Sequence, residues 1–514
     1  MKKRGLILLL CVTLLFGMVG CNNNNNTTTD ESTLSESDIA DLMQQTTIAE
    51  DREPVTITFG GWGHWILLRE WFDAFEEKYP WITVEVVKPV DEDWYEDSLM
   101  RLAATGKMPD VFNSGEIETC LMNGWSVDLT PYFENDPDTE NYLDWLLEYG
   151  SSNDRIYMIA SCLYLDLMMI NTTMLDEVNA EIPDYNWTID EFVDVLRATT
   201  VKGESIGITN IVDMLRWLPA QCGNSDLSCF SYNVKTEHFE FGEEFVECLN
   251  LCKKVFDEEL SLWEQLDLKY GNLYSGATAE ENELIEENRD NATMELVGDN
   301  RELWRVGKYG TNYLSSYSVG WYYSEEYVGF DWEVYPMPVK EEGQVARTCV
   351  YPDFMCVSTS AENPYECYLL VKWMSYDLDG YRAFVDIVNN YDQEEYIKKY
   401  EGVYPASYFP AGLGGVDRIP ALKEEVVIDL FSTIDSVYTQ KEGMIEIISN
   451  VYENGYVNGL TCLPNMNEIR NLIFDTIVNE VLSGKKSAAD IVEDLERRCN
   501  AILDEERRLA GMIE

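Results

Sequence analysis

Histidine is nearly missing from this sequence, with only His64 and His238 among 514 residues, and the thirteen cysteines include no Cys-x-x-Cys pair. A histidine-rich or zinc-ribbon centre has almost no ligands to draw on, so no metal and no cofactor are expected. Basic residues are scarce as well: 37 Lys and Arg stand against 94 Asp and Glu, a formal charge of −57. Nucleic-acid affinity depends on cations displacing counterions from phosphate, so DNA and RNA are excluded as partners. No apolar run reaches the roughly 20 residues that a spanning helix needs. Gly-x-Ser-x-Gly, His-Glu-x-x-His and phosphate-loop motifs are missing too, which removes the hydrolase and nucleotide chemistries that those motifs carry.

What is present is ample core material, 46% hydrophobic and 12% aromatic, over a length that suggests two or three folding units at roughly 100–200 residues each. Met1-Lys2-Lys3-Arg4 is a basic start, and Leu6 to Phe16 is an apolar stretch too short to span, the pattern of an export signal. It ends in Met18-Val19-Gly20-Cys21, which resembles the lipobox of bacterial lipoproteins. The expectation is a signal peptide over 1–20, lipidation at Cys21 and a chain held to the membrane by lipid alone. The Asn and Thr run from Asn22 to Thr29, with the polar stretch to Glu53, has almost nothing to bury and reads as a flexible tether over 21–53. Without Cys11 and Cys21 the cysteine count stays odd, so at least one thiol has no intramolecular partner. Cys222 and Cys229 could close a small loop, and Cys248 lies one helical turn from Cys252. Cys162, Cys356 and Cys367 sit in apolar runs and read as buried small hydrophobes.

From Pro54 the periodicity becomes regular. Val55 to Phe59 alternates like a strand and breaks at Gly60-Gly61. A helix follows, with Trp71 and Phe75 four apart and Arg69, Glu70, Asp73, Glu76 and Glu77 on the other face until Pro80 stops it. Ile82 to Val87 is a second strand, so the unit is β-α-β and its sheet parallel. A helix near Tyr95–Ala104 and a strand at Asp110–Phe112 repeat the pattern. Further on, Thr188 and Glu191 make a capping box, and Ser487 opens a last helix with Ile491, Leu495, Cys499 and Ile502 in one stripe.

Phe75-Glu76-Glu77-Lys78-Tyr79-Pro80-Trp81-Ile82-Thr83-Val84, then Gly106-Lys107-Met108-Pro109-Asp110-Val111 and Asp128-Leu129-Thr130-Pro131-Tyr132, resemble in order and spacing the extracellular solute-binding lipoproteins of ATP-binding-cassette importers, in the sugar-binding branch. Ile156 to Asn171, Trp187 to Phe192, Asp331 to Pro338, Tyr351 to Val357 and Asn363 to Trp373 continue the likeness. The resemblance implies an α/β, two-lobed periplasmic-binding-protein-like fold with discontinuous lobes and a hinge. Lobe 1 would hold 54–163 with 331–378 and lobe 2 would hold 164–330 with 379–514, joined near Ser161–Leu167. It also implies capture of a carbohydrate, expected to be an oligosaccharide, and delivery to the membrane permease subunits of an importer. The chain would then work at the outer face of the cytoplasmic membrane and not as an enzyme.

A sugar presents C–H faces and hydroxyl edges, so its binder needs flat aromatic platforms beside Asp, Glu, Asn and Arg. Ligands of open parallel sheets lie beyond the carboxyl ends of strands. The loops after the first three strands offer Trp62, His64 and Trp65; Asp91, Asp93 and Trp94; and Asn113, Ser114 and Glu116. Tyr164 and Asp166 lie at the crossover; Tyr164 alternates with apolar residues and suits a core equally well, whereas an unpaired buried Asp166 would be costly. Arg216, Trp217, Asp299, Asn300 and Trp304 fall where the family places second-lobe loops, although Trp217 beside Leu218 reads first as core. Tyr351 and Asp353 flank Pro352, which is expected to break pairing and expose a loop. Trp62, Trp65 and Trp304 are the stacking candidates, with Asp91, Glu116, Asp299 and Asp353 fixing hydroxyls. His238 reads as an exposed strand residue with no role. The competing readings are a peptide or other non-sugar binder of the same form, and a secreted glycoside hydrolase, whose carboxylate pair cannot be picked from so many acids.

Overall fold

The structure is a computed structural model that describes residues 52–62, 65–87, 96–115, 117–223, 226–270, 287–291, 293–294, 297–298, 303–318, 329–402, 418–434, 441–458, 463 and 466–509. The signal, the lipobox with Cys21, and most of the tether lie outside these residues.

The chain opens with β1 (Val55–Gly60), α1 (Trp65–Lys78), β2 (Ile82–Val86), α2 (Glu96–Ala104) and β3 (Val111–Asn113). β1 pairs in parallel with β2, Val55 opposite Ile82, and on its other side with β3, Phe59 opposite Val111. This is the β-α-β layout that the periodicity predicts. α1 buries Leu68, Trp71, Phe72 and Phe75 at its one-turn spacing. Asp110 explains the Pro-Asp-Val phrase: its carboxylate accepts from the Thr58 amide at 2.8 Å and the Thr58 hydroxyl at 2.7 Å, fastening β3 to β1.

The long strand β4 (Ile159–Asn171) precedes α3 (Ile189–Thr199), and later come β5 (Thr311–Ser315), β6 (Trp332–Tyr335) and β7 (Thr348–Val357). Then follow α4 (Pro364–Ser375), α5 (Leu378–Asn389), β8 (Gly455–Val457) and the last helix α6 (Ala488–Leu509). Eight strands of the described residues form one sheet in the order β6-β4-β7-β3-β1-β2, with β8 paired to β7 and β5 to β4. Two apolar cores flank it. The first gathers β1 to β3 with α1, α4 and α5; Trp71 packs on Phe384 and donates to the Gly380 carbonyl at 2.7 Å. The second gathers α3, residues 208–260 and the C-terminal helices.

Two polar devices hold these layers. Asp136, fully buried, accepts from Lys372 at 2.8 Å, Tyr368 at 3.1 Å and Tyr376 at 3.3 Å, so a charge placed under α4 is met on every side. Thr188 and Glu191 form the predicted capping box at the start of α3. In α6 the buried stripe is Ile491, Leu495, Cys499 and Leu503. A strict four-residue step selects Leu503, so Ile502 is only half-buried. His238, expected to be idle, joins Asp504 of α6 at 3.0 Å while its other ring nitrogen meets the Thr236 carbonyl at 2.8 Å. It fastens a strand to the last helix. Cys162, Cys356 and Cys367 are buried, as their apolar surroundings predict.

Candidate ligand-binding site

The period of two in β4 decides where a site can lie. Leu163, Leu165, Leu167 and Met169 point into the first core, while Met168 and Ile170 point into the second. Tyr164 and Asp166 share the face of Met168 and Ile170. β7 runs antiparallel beside it with Tyr351 opposite Tyr164 and Asp353 opposite Cys162. On this face Cys349 belongs to the second core, and Tyr351 and Asp353, further along β7, are half-buried. The polar residues therefore stand where the cover of the second core ends.

Pro352 does not open a loop there. β7 runs unbroken from Thr348 to Val357, with Pro352 opposite Leu163 and a register shift just after, between Asp353 and Phe354. Proline lacks the N–H that a ladder needs, and an irregularity is where a strand tolerates it. Leu163 instead exchanges both backbone bonds with Ile419, at 2.6 and 3.2 Å. That bridge brings Arg418 to 4.0 Å from Asp353 and 3.3 Å from the Ser161 hydroxyl.

Asp166 is 1% exposed and accepts hydroxyl donors from Tyr313 and, at 3.1 Å, from Tyr351. Burial pushes its carboxyl up to about 7, against the pull of the Tyr313 hydroxyl, the Arg216 charge and the Tyr351 hydroxyl. Arg216 stays cationic: burial disfavours its charge, but Asp213 at 3.1 Å, then Tyr313, Tyr351 and Asp166, outweigh that. Burial also raises Asp353, and Arg418 opposes the rise. Over this floor stands Tyr317, 51% exposed, its ring edge-on to Tyr164 at 5.7 Å and to Tyr351 at 6.4 Å. An open aromatic face above fixed carboxylates and guanidinium groups can stack on an apolar ring face and hydrogen-bond its rim.

Of the sequence-predicted residues, Tyr164, Asp166, Arg216, Tyr351 and Asp353 come together here. Trp62 is half-buried against the first core. Asn113 is buried and donates to the Phe354 carbonyl at 3.0 Å, sealing the end of β3. A side chain at Gly61 would come within 2.0 Å of its Oδ1, which is why glycine follows β1. Trp217 and Trp304 are fully buried, edge-on to Phe192 and Phe330, and in this conformation neither offers a face to a ligand. Trp65 opens α1. His64, Asp91, Asp93, Trp94, Glu116, Asp299 and Asn300 lie outside the described residues. Sequence reasoning missed Tyr313, Tyr317 and Arg418. The available signal was the tyrosine run Tyr309, Tyr313 and Tyr317, together with the need of a buried Asp166 for donors. Among the described residues no group of three or more His, Cys, Asp or Glu could hold a metal ion, and no helix is long and apolar enough to cross a membrane.

Residues 67–220 match the family model described as bacterial extracellular solute-binding protein, a span that contains the phrases at 75–84 and 106–111. No curated protein matches the sequence. Among solved structures, an ABC substrate-binding protein of Listeria monocytogenes in complex with cycloalternan superposes with a TM-score of 0.60 at 16% identity, over 88% of this chain and 100% of that one. The cyclic alpha-maltosyl-1,6-maltose binding protein of Arthrobacter globiformis gives 0.57 at 16%, over 88% and 100%. A family 1 extracellular solute-binding protein of Alicyclobacillus acidocaldarius gives 0.59 at 14%, again over 88% and 100%. The fold is thus the two-lobed α/β fold of bacterial solute-binding proteins.

Proposed function

We propose that this chain captures a carbohydrate, an oligosaccharide by preference, between its two lobes and delivers it to the permease of an ATP-binding-cassette importer. The observation that carries the reading is the exposed Tyr317 ring packed edge-on to Tyr164 and Tyr351, on the strands that also carry Asp166 and Asp353 at the margin of the second core. The sugars named for the Listeria and Arthrobacter structures favour the same substrate class. Tyr317, Tyr164 and Trp62 serve as platforms, while Asp353, Arg418 and Arg216 fix hydroxyls. The sequence-predicted His64, Trp65, Asp91, Asp93, Trp94, Glu116, Asp299 and Asn300 are the further ligand contacts of this proposal. Lobe 1 comprises 54–163 with 331–378 and lobe 2 comprises 164–330 with 379–514; the packing of Tyr381 and Phe384 of α5 in the first core favours extending lobe 1 through α5. Contacts made with both lobes favour the closed form by their differential affinity, and closure is what the permease reads. The protein binds its ligand without cleaving it. Export by the 1–20 signal and lipidation at Cys21 hold it at the outer face of the cytoplasmic membrane.

Incubation with linear and cyclic oligosaccharides, followed by thermal shift and product analysis, tests the reading. A raised melting temperature with intact sugar is expected. Cleavage would make the protein a glycosidase, and no shift with any sugar would transfer the reading to a non-sugar solute. Mass spectrometry of the membrane-extracted protein should find a diacylated Cys21 at the N-terminus; an unmodified or different N-terminus would remove the anchor.

A further inference from the structure

Ten cysteines among the described residues are free thiols, and several stand in pairs. Cys120 is hydrogen-bonded to Cys356 and Cys222 to Cys248. Cys229 and Cys349 are 120 residues apart in sequence, both fully buried, with their sulfurs 3.5 Å apart. The partners are not those that spacing suggests, since Cys222 turns to Cys248 and leaves Cys229 for β7.

We propose that Cys229 and Cys349 are a disulfide-forming pair that ties strand β7 to the second core directly beneath the candidate site. A disulfide needs its sulfurs at about 2.05 Å. Each sulfur therefore has to travel less than about 1 Å, a small side-chain rotation, and burial leaves neither thiol free to turn elsewhere. Cys349 lies two residues before Tyr351, and its thiol also hydrogen-bonds Asp166, so the bond would anchor the floor of the site and remove one donor from that carboxylate.

The timing follows from burial. Burial holds the Cys349 thiol well above its ordinary range, and a thiol that does not ionise attacks disulfides slowly. The bond therefore forms while the chain folds, with a small-molecule or protein disulfide as oxidant. One cysteine thiolate attacks the oxidant's sulfur–sulfur bond, giving a mixed disulfide and releasing one reduced thiol. The second thiolate attacks the protein sulfur of that mixed disulfide, forms the Cys229–Cys349 bond and releases the second thiol. Two electrons and the two thiol protons pass to the oxidant.

The test denatures and reduces the full chain, refolds it with reduced and oxidised glutathione, alkylates free thiols, and maps linked peptides by mass spectrometry. The expected result is a peptide pair joined at Cys229 and Cys349 that separates on reduction. Its melting temperature should lie about 5 °C above that of Cys349→Ser treated identically, for a closed loop of this length. A refolded chain, native by circular dichroism, in which Cys229 is alkylated or joined to Cys222 overturns the proposal. Should Cys349→Ser fail to fold, the peptide map of the unmodified chain decides alone.

Discussion

Asp166 makes a pH-dependent demand on this fold that can be isolated by one substitution. Its carboxyl titrates near 7 in the folded chain against an ordinary 3.8, because burial disfavours the ion more than Tyr313, Arg216 and Tyr351 favour it. A raised folded value means that the folded state holds its proton longer than the unfolded state. Stability from this group is thus intact below about pH 4 and is lost as pH rises through 7. About three units at 1.36 kcal/mol each give a loss of about 4 kcal/mol by pH 8. Asp166→Asn keeps an acceptor for the two tyrosine hydroxyls and removes the titration. Roughly 2 cal/mol/K per residue over several hundred ordered residues converts 1 kcal/mol into about 1 °C. The variant should therefore gain about 4 °C on the wild type between pH 4 and pH 8 in paired calorimetric melts. Glu264, which burial raises to about 8, falls in the same window but is common to both proteins and cancels. A difference that is flat across this range, or that favours the wild type at pH 8, would show that Asp166 is not held as an unwilling ion.

Trp62→Ala should weaken sugar binding about tenfold to a hundredfold, the worth of a stacking platform at about 1–3 kcal/mol, with an unchanged circular dichroism spectrum; loss of fold with normal affinity in the survivors would assign Trp62 to the core instead. Lys372→Met should cost about 3–5 kcal/mol in denaturant unfolding, because it leaves the buried Asp136 charge with only hydroxyl and amide donors. Thr188→Ala removes one half of the α3 capping box and should cost about 1 kcal/mol in the same assay.

The elements that sequence reading placed well are those whose signal is local. The first β-α-β unit, the capping box at Thr188 and Glu191, and the α6 stripe up to Cys499 each follow from spacing within a turn or a strand. The cost of an unpaired carboxylate singled out Asp166 before its partners were visible. Tyr313 and Tyr317 stayed hidden because the meeting of Tyr313 with Asp166 and of Tyr317 with Tyr164 spans about 150 positions of chain, and a tyrosine-rich run reads equally as core. Pro352 misled for a related reason: its missing N–H is compensated by Ile419, a partner that no local window contains. Trp217 and Trp304 show the ambiguity of large aromatics, since the ring that would suit a sugar face also fills a core.

Isothermal titration calorimetry of the mature chain and of Tyr317→Ala against linear and cyclic oligosaccharides tests whether Tyr317 is a sugar platform. Saturable binding of at least one such sugar by the wild type and at least tenfold weaker binding by the variant, with matching melting temperatures, are expected. Failure of every sugar to bind, or equal affinity in the two proteins, would contradict it.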